Sequence, residues 1–414
     1  NSEIDETLMK KLVTNLNYSK HRGPDNSQYG LENKQIFLGF HRLCINDVSD
    51  KGNQPIIHPD DFNLRLICNG EIYNHKALVD KYKFNCASDS DCEVIIHLYK
   101  KIGFFETIKK LDGVFACVIV DLKKNIIYAA RDRIGVRSMY YGYDSNGYGF
   151  CSELKSIDKL FNNIEQFKPG HIWDSKTKNY KQYYDIHTAY NQKEIKYDDA
   201  VILTKLKFED AVKKRLMSDR EIGCLLSGGL DSSLVAGILN KYYTKSKLKT
   251  FSIGLENSPD IKYAKKVADY LGTDHTEFIV SEQTMLNAIK STIYQIESYD
   301  TTTVRASVPM FLLSKYIKDT TDIAVIYSGE GSDEASGSYL YFHNSPDPKS
   351  FKDETLRLID DLSYFDVLRC DKTTAGAGLE VRVPFLDKDF LEMYMNIESD
   401  LKMPEKDKIE KYLL

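Results

Sequence analysis

The chain has no apolar run that approaches membrane-spanning length, so no membrane helix is expected. It also lacks an excess of positive charge. The 56 lysines and arginines against 61 aspartates and glutamates leave a formal net charge of −5. With a pI near 6.1, that argues against a nucleic-acid-binding face. Metal-type cysteine spacing is missing too. The eight cysteines are scattered, and the one close pair, Cys86 and Cys92, suits neither a zinc knuckle nor a dense disulfide framework. Reduced thiols and a cytoplasmic setting are the expectation. Repeats and low-complexity tracts are absent, which leaves an ordinary globular composition. At 414 residues the chain has room for two or three domains with large cores.

Two halves differ in their patterning. From residue 10 to about 190 the chain reads as β-rich. A short helical pattern over Leu12–Asn17 precedes strand-like runs at 36–45, 64–68, 114–121, 126–130 and 140–143. Residues 191–199, rich in charge, read as a solvated connection, followed by an amphipathic helix to about Leu216. The second half alternates strand and helix: strands at 222–226, 250–254, 276–280 and 323–327, with helices at 232–243, 261–271 and from Met285 to Ile296 between them. Such alternation predicts a doubly wound parallel sheet, and ligands bind such sheets beyond the carboxyl ends of strands. The chain begins at Asn1 rather than Met and stops at Leu414 inside a helical pattern (408–414), so both ends are expected to be cut.

The run Cys224-Leu225-Leu226-Ser227-Gly228-Gly229-Leu230-Asp231-Ser232-Ser233 reads as a buried strand, a glycine turn and a helix starting near Ser232. A helix N-terminus offers unpaired N–H groups and partial positive charge. Glycines let a phosphate come close, and the serines add hydroxyl donors. Asp231 stands where a phosphate-bound Mg²⁺ needs a hard oxygen ligand. The Lys-Ser/Thr ending of the GxxxxGK[ST] loop is absent, so that motif does not apply. A lone Ser-Gly-Gly would read as a plain turn. The full string resembles the pyrophosphate loop of the ATP pyrophosphatases, which adenylate a substrate.

Ser328 to Glu334 places two glycines and three carboxylates in seven residues. Alone it reads as an exposed acidic turn. Beside a phosphate loop, Asp231 and Asp333 become candidates to share Mg²⁺, with Glu330 left to orient or deprotonate a reactant.

Several longer strings strengthen this: Phe251-Ser252-Ile253-Gly254-Leu255, Ser258-Pro259-Asp260, Thr301-Thr302-Thr303-Val304-Arg305-Ala306-Ser307, Tyr339-Leu340-Tyr341-Phe342-His343, Leu379 to Asp387, and Glu410-Lys411. In order and spacing, nearly all of 220–414 resembles the synthetase domain of glutamine-dependent asparagine synthetases. The resemblance implies that ATP activates the aspartate side chain as β-aspartyl-AMP and that ammonia displaces AMP. It places Leu226, Ile253, Ser328 and Gly329 at the nucleotide. Ser227, Gly228, Gly229, Asp231 and Ser232 fall at the pyrophosphate, Glu330 at the reacting centre, and Lys411 on the phosphate charge. Arg305 is a candidate for the substrate or the phosphates. The bland alternatives are a surface helix lysine for Lys411 and, for Arg305, a buried ion pair with a neighbour such as Asp300. Two departures stand out: Ser336-Gly337-Ser338-Tyr339 where the family has Phe-Gly-Gly-Tyr, and Ala377 in place of a bulkier residue.

In the first half, Asn69-Gly70-Glu71-Ile72-Tyr73-Asn74 follows a strand, with His21-Arg22-Gly23-Pro24-Asp25 before it and Ser90-Asp91-Cys92-Glu93 after it. Alone, Asn-Gly reads as a tight hairpin turn. Together these strings, over about 10–180, resemble class II glutamine amidotransferase domains. That implies an oxyanion hole at Asn69 and Gly70, a carboxylate clamp at Arg42, and binding of the glutamine ammonium by Glu71 and Asp91. Arg131 to Arg137 and Ser152-Glu153 match as structural parts. The family's nucleophile is an N-terminal cysteine whose own α-amine is the base. No cysteine precedes Cys44 here, and Cys44 has no α-amine and lies in a strand-like run. The retained binding positions favour a first strand and cysteine missing from this chain over lost glutaminase activity.

The whole is thus expected to be α/β. Residues 1–190 would form an N-terminal-nucleophile-type αββα sandwich, a glutaminase lacking its first strand. Residues 191–414 would form a doubly wound parallel-sheet adenylating domain with a truncated end. The expected substrates are aspartate, glutamine and ATP with Mg²⁺, without transition metal, nucleic acid or membrane, and with a possible homodimer. A β-lactam-synthetase-like cyclase with an inactive first domain, or a catalytically dead glutamine or ATP sensor, are the rivals.

Overall fold

The computed structural model describes residues 3–190, 192–404 and 410–414. The chain divides into two compact units. One holds 1–184 with 218–220 and 374–379; the other holds 185–217, 221–373 and 380–414.

The first unit is built on a six-stranded antiparallel sheet. Its order is Tyr180–Gln182, His171–Asp174, Ile126–Arg131, Gly113–Asp121, Asp61–Ile72 and Ile56–His58. Strand alternation splits Gly113–Asp121 between two cores. Phe115, Cys117 and Ile119 pack with Val94, Ile95, Leu98, Phe104 and Ile108 of the helices Glu93–Ile102 and Phe104–Lys110. Ala116 and Val118 face Met139, Tyr141, Phe167 and Trp173, where the three-stranded sheet Tyr148–Cys151, Tyr140–Tyr143, Asn163–Gln166 lies. The helix Glu6–Asn17, capped by Asp5 accepting from the Leu8 N–H at 2.7 Å, covers the hairpin Asn26–Glu32/Ile36–Arg42. A Cβ on Gly39 would lie 2.6 Å from Leu16 Cδ2. Helices, the six-stranded sheet and the three-stranded sheet follow one another as three layers of the αββα expectation; the helix Glu6–Asn17 lies against the separate hairpin.

The second unit holds a five-stranded sheet, parallel throughout. Its order is Asp274–Ile279, Lys249–Gly254, Ile222–Leu225, Val325–Tyr327 and Glu380–Arg382. The chain starts at the middle strand, adds two strands on one side, then returns to add two on the other. The reversal falls between Ile222–Leu225 and Val325–Tyr327, and in open α/β sheets the crevice at such a reversal is where ligands bind. Strand residues on both sides are buried, including Cys224, Val325, Ile326 and Tyr327, as a sheet covered on both faces demands.

Local details differ from expectation for identifiable reasons. The helix after the glycine turn begins at Leu230 rather than near Ser232, because Gly229 is the extended cap residue. The hairpin strand ends at Arg42, leaving Cys44 outside it, because the Cys44 N–H is drawn to Asp25 Oδ2 at 2.8 Å. Asn69-Gly70 makes no turn; both residues lie inside the strand Asp61–Ile72. At the C-terminus, Lys408 and Ile409 lie outside the described residues. Glu410 to Leu413 form a turn, with Lys411 at φ 60°, a left-handed backbone that no helix interior accepts. In the charged connection, Asn191 lies outside the described residues; beyond it the Lys193 N–H bonds the Asn396 carbonyl at 2.9 Å, and the helix Tyr197–Lys214 follows.

Candidate active site

Two loops leave the adjacent strands at the reversal of the parallel sheet. In the first, the Leu226 N–H bonds the Phe251 carbonyl at 2.8 Å. Gly228 then turns at φ 83°, where a Cβ would sit 2.4 Å from the Ala264 nitrogen, so only glycine fits. Ser232, in the first helical turn, accepts from the Ser227 N–H at 3.2 Å, and the two hydroxyls lie 3.0 Å apart. The second loop presses on this turn: a Cβ on Gly329 would lie 3.0 Å from the Ser232 nitrogen. Ser332 donates to Asp231 Oδ1 at 2.7 Å.

Lys411 completes the arrangement. Its ammonium donates to Asp231 Oδ2 and lies 2.6 Å from Asp333 Oδ1. Its side chain is 9% exposed, so the surface-lysine alternative does not hold. Burial pulls the ammonium's pKa down, but the bonds to Asp231 and Asp333 outweigh it and leave the group above its ordinary value. The two serines that depart from the family pattern are both used: Ser336 donates to the Ser332 carbonyl at 2.6 Å, and Ser338 donates to Asp333.

Glu330 follows at the same loop. It is not free at both oxygens: Oε2 accepts from Arg369 at 2.7 Å. Burial pushes its carboxyl above the ordinary range against the pull of Arg369. Glu334, buried beneath and bonded by the Tyr339 hydroxyl, is pushed up to about 8, first by burial and then by Asp366. Ile253 lies on the neighbouring strand, and Ser328 is buried with its N–H on the Arg382 carbonyl. Arg305 is exposed in the second turn of the helix Thr301–Thr320, and Asp300 caps that helix through the Thr303 N–H at 2.8 Å. The buried Arg305–Asp300 pair is therefore absent.

In the first unit, the strand Asp61–Ile72 carries Asn69, Gly70 and Glu71. Gly70 adopts φ 151°, and a Cβ there would meet the Val114 carbonyl oxygen at 2.1 Å. The Asn69 amide donates to Ser152 at 3.3 Å. Glu71 and Asp91, both buried, are joined by one side-chain amide: Asn46 Nδ2 donates to Glu71 and, at 3.3 Å, to Asp91. The other Asp91 oxygen accepts the Ile72 N–H at 2.6 Å. Two carboxylates sharing one N–H donor group form a cradle suited to an ammonium.

Arg42 is buried at the end of its strand, but its guanidinium is engaged with protein. It donates to the Ser49 carbonyl at 2.6 Å, to Asn53 at 2.9 Å and to the Asp47 carbonyl. In this structure it organises the loop 47–53, and a carboxylate clamp would require exchange of those bonds. Arg131, fully buried, bonds three carbonyls, and the Asp132 carboxylate gathers backbone N–H groups of 134–137, a structural part as expected. Burial raises the Cys44 thiol.

Residues 204–353 and 343–414 match the asparagine synthase family, and residues 2–163 the glutamine amidotransferase domain. The mouse (Mus musculus) protein named asparagine synthetase [glutamine-hydrolyzing] is 43% identical over 95% of this chain and 75% of its own length. The human (Homo sapiens) protein of that name gives the same figures, 43%, 95% and 75%. The chicken (Gallus gallus) one is 42% identical over 99% of this chain and 78% of its own length. The chain belongs to the glutamine-hydrolysing asparagine synthetase family. The α/β fold agrees with that membership, and among the described residues no helix is long and apolar enough to cross a membrane.

Family strings did not point to every residue at the two sites. Asn46, Arg369 and Asp366 were missed as functional neighbours. Asn46 sits four residues after Arg42 with no motif of its own. Arg369 and Asp366 stand on the helix Asp366–Ala375, where an i,i+3 Asp–Arg pair reads as ordinary helix surface.

Proposed function

We propose that this chain makes asparagine. ATP activates the aspartate side-chain carboxylate as β-aspartyl-AMP with release of pyrophosphate, and ammonia released from glutamine displaces AMP. The observation that carries the reading is the convergence of Asp231, Ser332, Asp333 and Lys411 where two loops leave adjacent parallel strands. The second unit is the synthetase and the first the glutaminase.

In the synthetase, the turn Ser227, Gly228, Gly229 and Ser232 offers backbone N–H groups and hydroxyls to the pyrophosphate. Leu226, Ile253, Ser328 and Gly329 border the nucleotide. Lys411 supplies positive charge as the leaving pyrophosphate gains negative charge. Arg305, exposed near the start of its helix, remains the candidate for aspartate or the phosphates.

Asp231 and Asp333 already hold one cation in common, the Lys411 ammonium. Once Lys411 turns from these carboxylates to the phosphates, their oxygens would be free to hold Mg²⁺, which would neutralise phosphate charge. Glu330 accepts a proton as ammonia attacks the acyl carbon.

In the glutaminase, Asn69 and the Gly70 N–H stabilise the tetrahedral oxyanion. Glu71 and Asp91 take the substrate ammonium in place of the Asn46 amide. Arg42 meets the substrate carboxylate after exchanging its loop bonds. Association of two copies and a cytosolic location belong to the same proposal; sedimentation velocity and cell fractionation test them.

The deciding experiment supplies Mg-ATP, aspartate and amide-¹⁵N glutamine to the full-length protein and follows ¹⁵N-asparagine by mass spectrometry. Labelled asparagine is expected. Product formed only with ammonium chloride would remove the glutaminase half. No asparagine from either nitrogen source would overturn the proposal in favour of a cyclase or a sensor.

A further inference from the structure

Glu330 occupies a crowded electrostatic position. On its own loop and the following helix Ser332–Ser336 stand Asp333 and Glu334. From the helix Asp366–Ala375 come Asp366, Arg369 and Cys370. Asp333 is itself held by Lys411, and Glu334 by the Tyr339 hydroxyl. One guanidinium serves this group of carboxylates. Arg369 Nη2 lies 2.7 Å from Glu330 Oε2, and Nη1 lies 2.5 Å from Asp366 Oδ1. Among the described residues, Glu330 Oε1 accepts no hydrogen bond.

We propose that Arg369 is a positioning residue for the reaction: anchored by Asp366, it grips Glu330 by Oε2 and leaves Oε1 to face the reactants. This rests on the reading of Glu330 as the group that takes the proton from the attacking ammonia. A planar two-pronged donor suits the task, because it fixes the carboxylate's orientation as well as its charge. Asp366 in turn fixes the guanidinium, so that Glu330 keeps one orientation through the reaction.

The arrangement has a signature that a packing role lacks. Arg369 favours the Glu330 carboxylate, whereas Asp366 opposes it. Removing the arginine should therefore raise the pH at which Glu330 ionises, and neutralising the aspartate should lower it. Both variants alter the same helix, so a loss of packing alone would not send the two in opposite directions.

The test measures ammonia-dependent asparagine synthesis against pH, at saturating Mg-ATP and aspartate and constant free ammonia. For Arg369→Met, kcat should fall while the KM for aspartate changes little. The acid limb of its profile should move up by about one to three pH units, the usual effect of one adjacent charge. For Asp366→Asn the limb should move down, and Arg369→Lys should recover part of the rate by restoring the charge. If Arg369→Met and Asp366→Asn leave the limb in place, or move it the same way, the inference is overturned. Should Arg369→Met fail to fold, Asp366→Asn and Arg369→Lys still decide it. Glu330→Gln separates the two levels: a fully active Glu330→Gln sinks the reading of Glu330 itself. An inactive one beside an unmoved Arg369→Met limb sinks the role of Arg369 alone.

Discussion

Lys411 and Asp231 are 180 residues apart in sequence and meet as an ion pair. The lysine belongs to the last turn of the chain, and the aspartate to the first turn of the helix Leu230–Tyr242. Asp333 shares the same ammonium at 2.6 Å. A cation therefore sits among the loops that leave adjacent strands at the sheet's reversal, where the proposed role on the phosphates needs one.

Lys411→Met should cut aspartate-dependent pyrophosphate release by about 10²-fold or more, the scale seen when one donor to a developing anion is lost. The glutaminase rate, measured as glutamate released, should hold. A variant that releases pyrophosphate at the unmodified rate would remove Lys411 from the mechanism.

Gly228→Ala should destabilise the second unit by about 1–3 kcal/mol, because the backbone is left-handed there and the added Cβ meets the Ala264 backbone. Thermal unfolding checks this, and ATP affinity by calorimetry should fall with it.

Glu71→Gln and Asp91→Asn should each raise the KM for glutamine by about 10- to 100-fold, equivalent to the loss of a charge-assisted hydrogen bond of about 1.5–3 kcal/mol. Synthesis from ammonium chloride should be unchanged. Comparing the two nitrogen sources in one preparation gives the answer.

Lys402 provides a pH test of stability. Burial pushes its ammonium down to about 7, and it donates to the Tyr394 carbonyl at 3.0 Å. The unfolded lysine holds its proton up to about 10.4. Between these values the unfolded chain binds more protons, so this group makes stability rise with pH from about 7 upward. Its penalty is fully present below 7. Lys402→Met should flatten that slope in Tm measured against pH.

Much of the fold was legible in the residues. The strand and helix periodicities placed most of the second unit's elements within a few residues, since a parallel sheet buried on both faces leaves long apolar runs. The boundary errors have local causes that pattern does not carry: the extended Gly229 cap and the pull of Asp25 on the Cys44 N–H. The strand Glu380–Arg382 was missed because its three residues, with charged ends, make no period. The turn reading of Asn69-Gly70 failed because strand pairing overrides a dipeptide preference.

What the sequence determined by itself was the alternation that makes a parallel sheet, the family strings, and the chemistry available at each loop. Local residue order is enough for these, since hydrogen-bonding period and side-chain type are local properties. Only the tertiary structure decided which groups share a partner. It gave Asp231 and Asp333 one lysine, Glu71 and Asp91 one amide, and Glu330 and Asp366 one guanidinium. Each of those pairings joins distant parts of the chain. Their energies depend on burial and distance, which only packing sets.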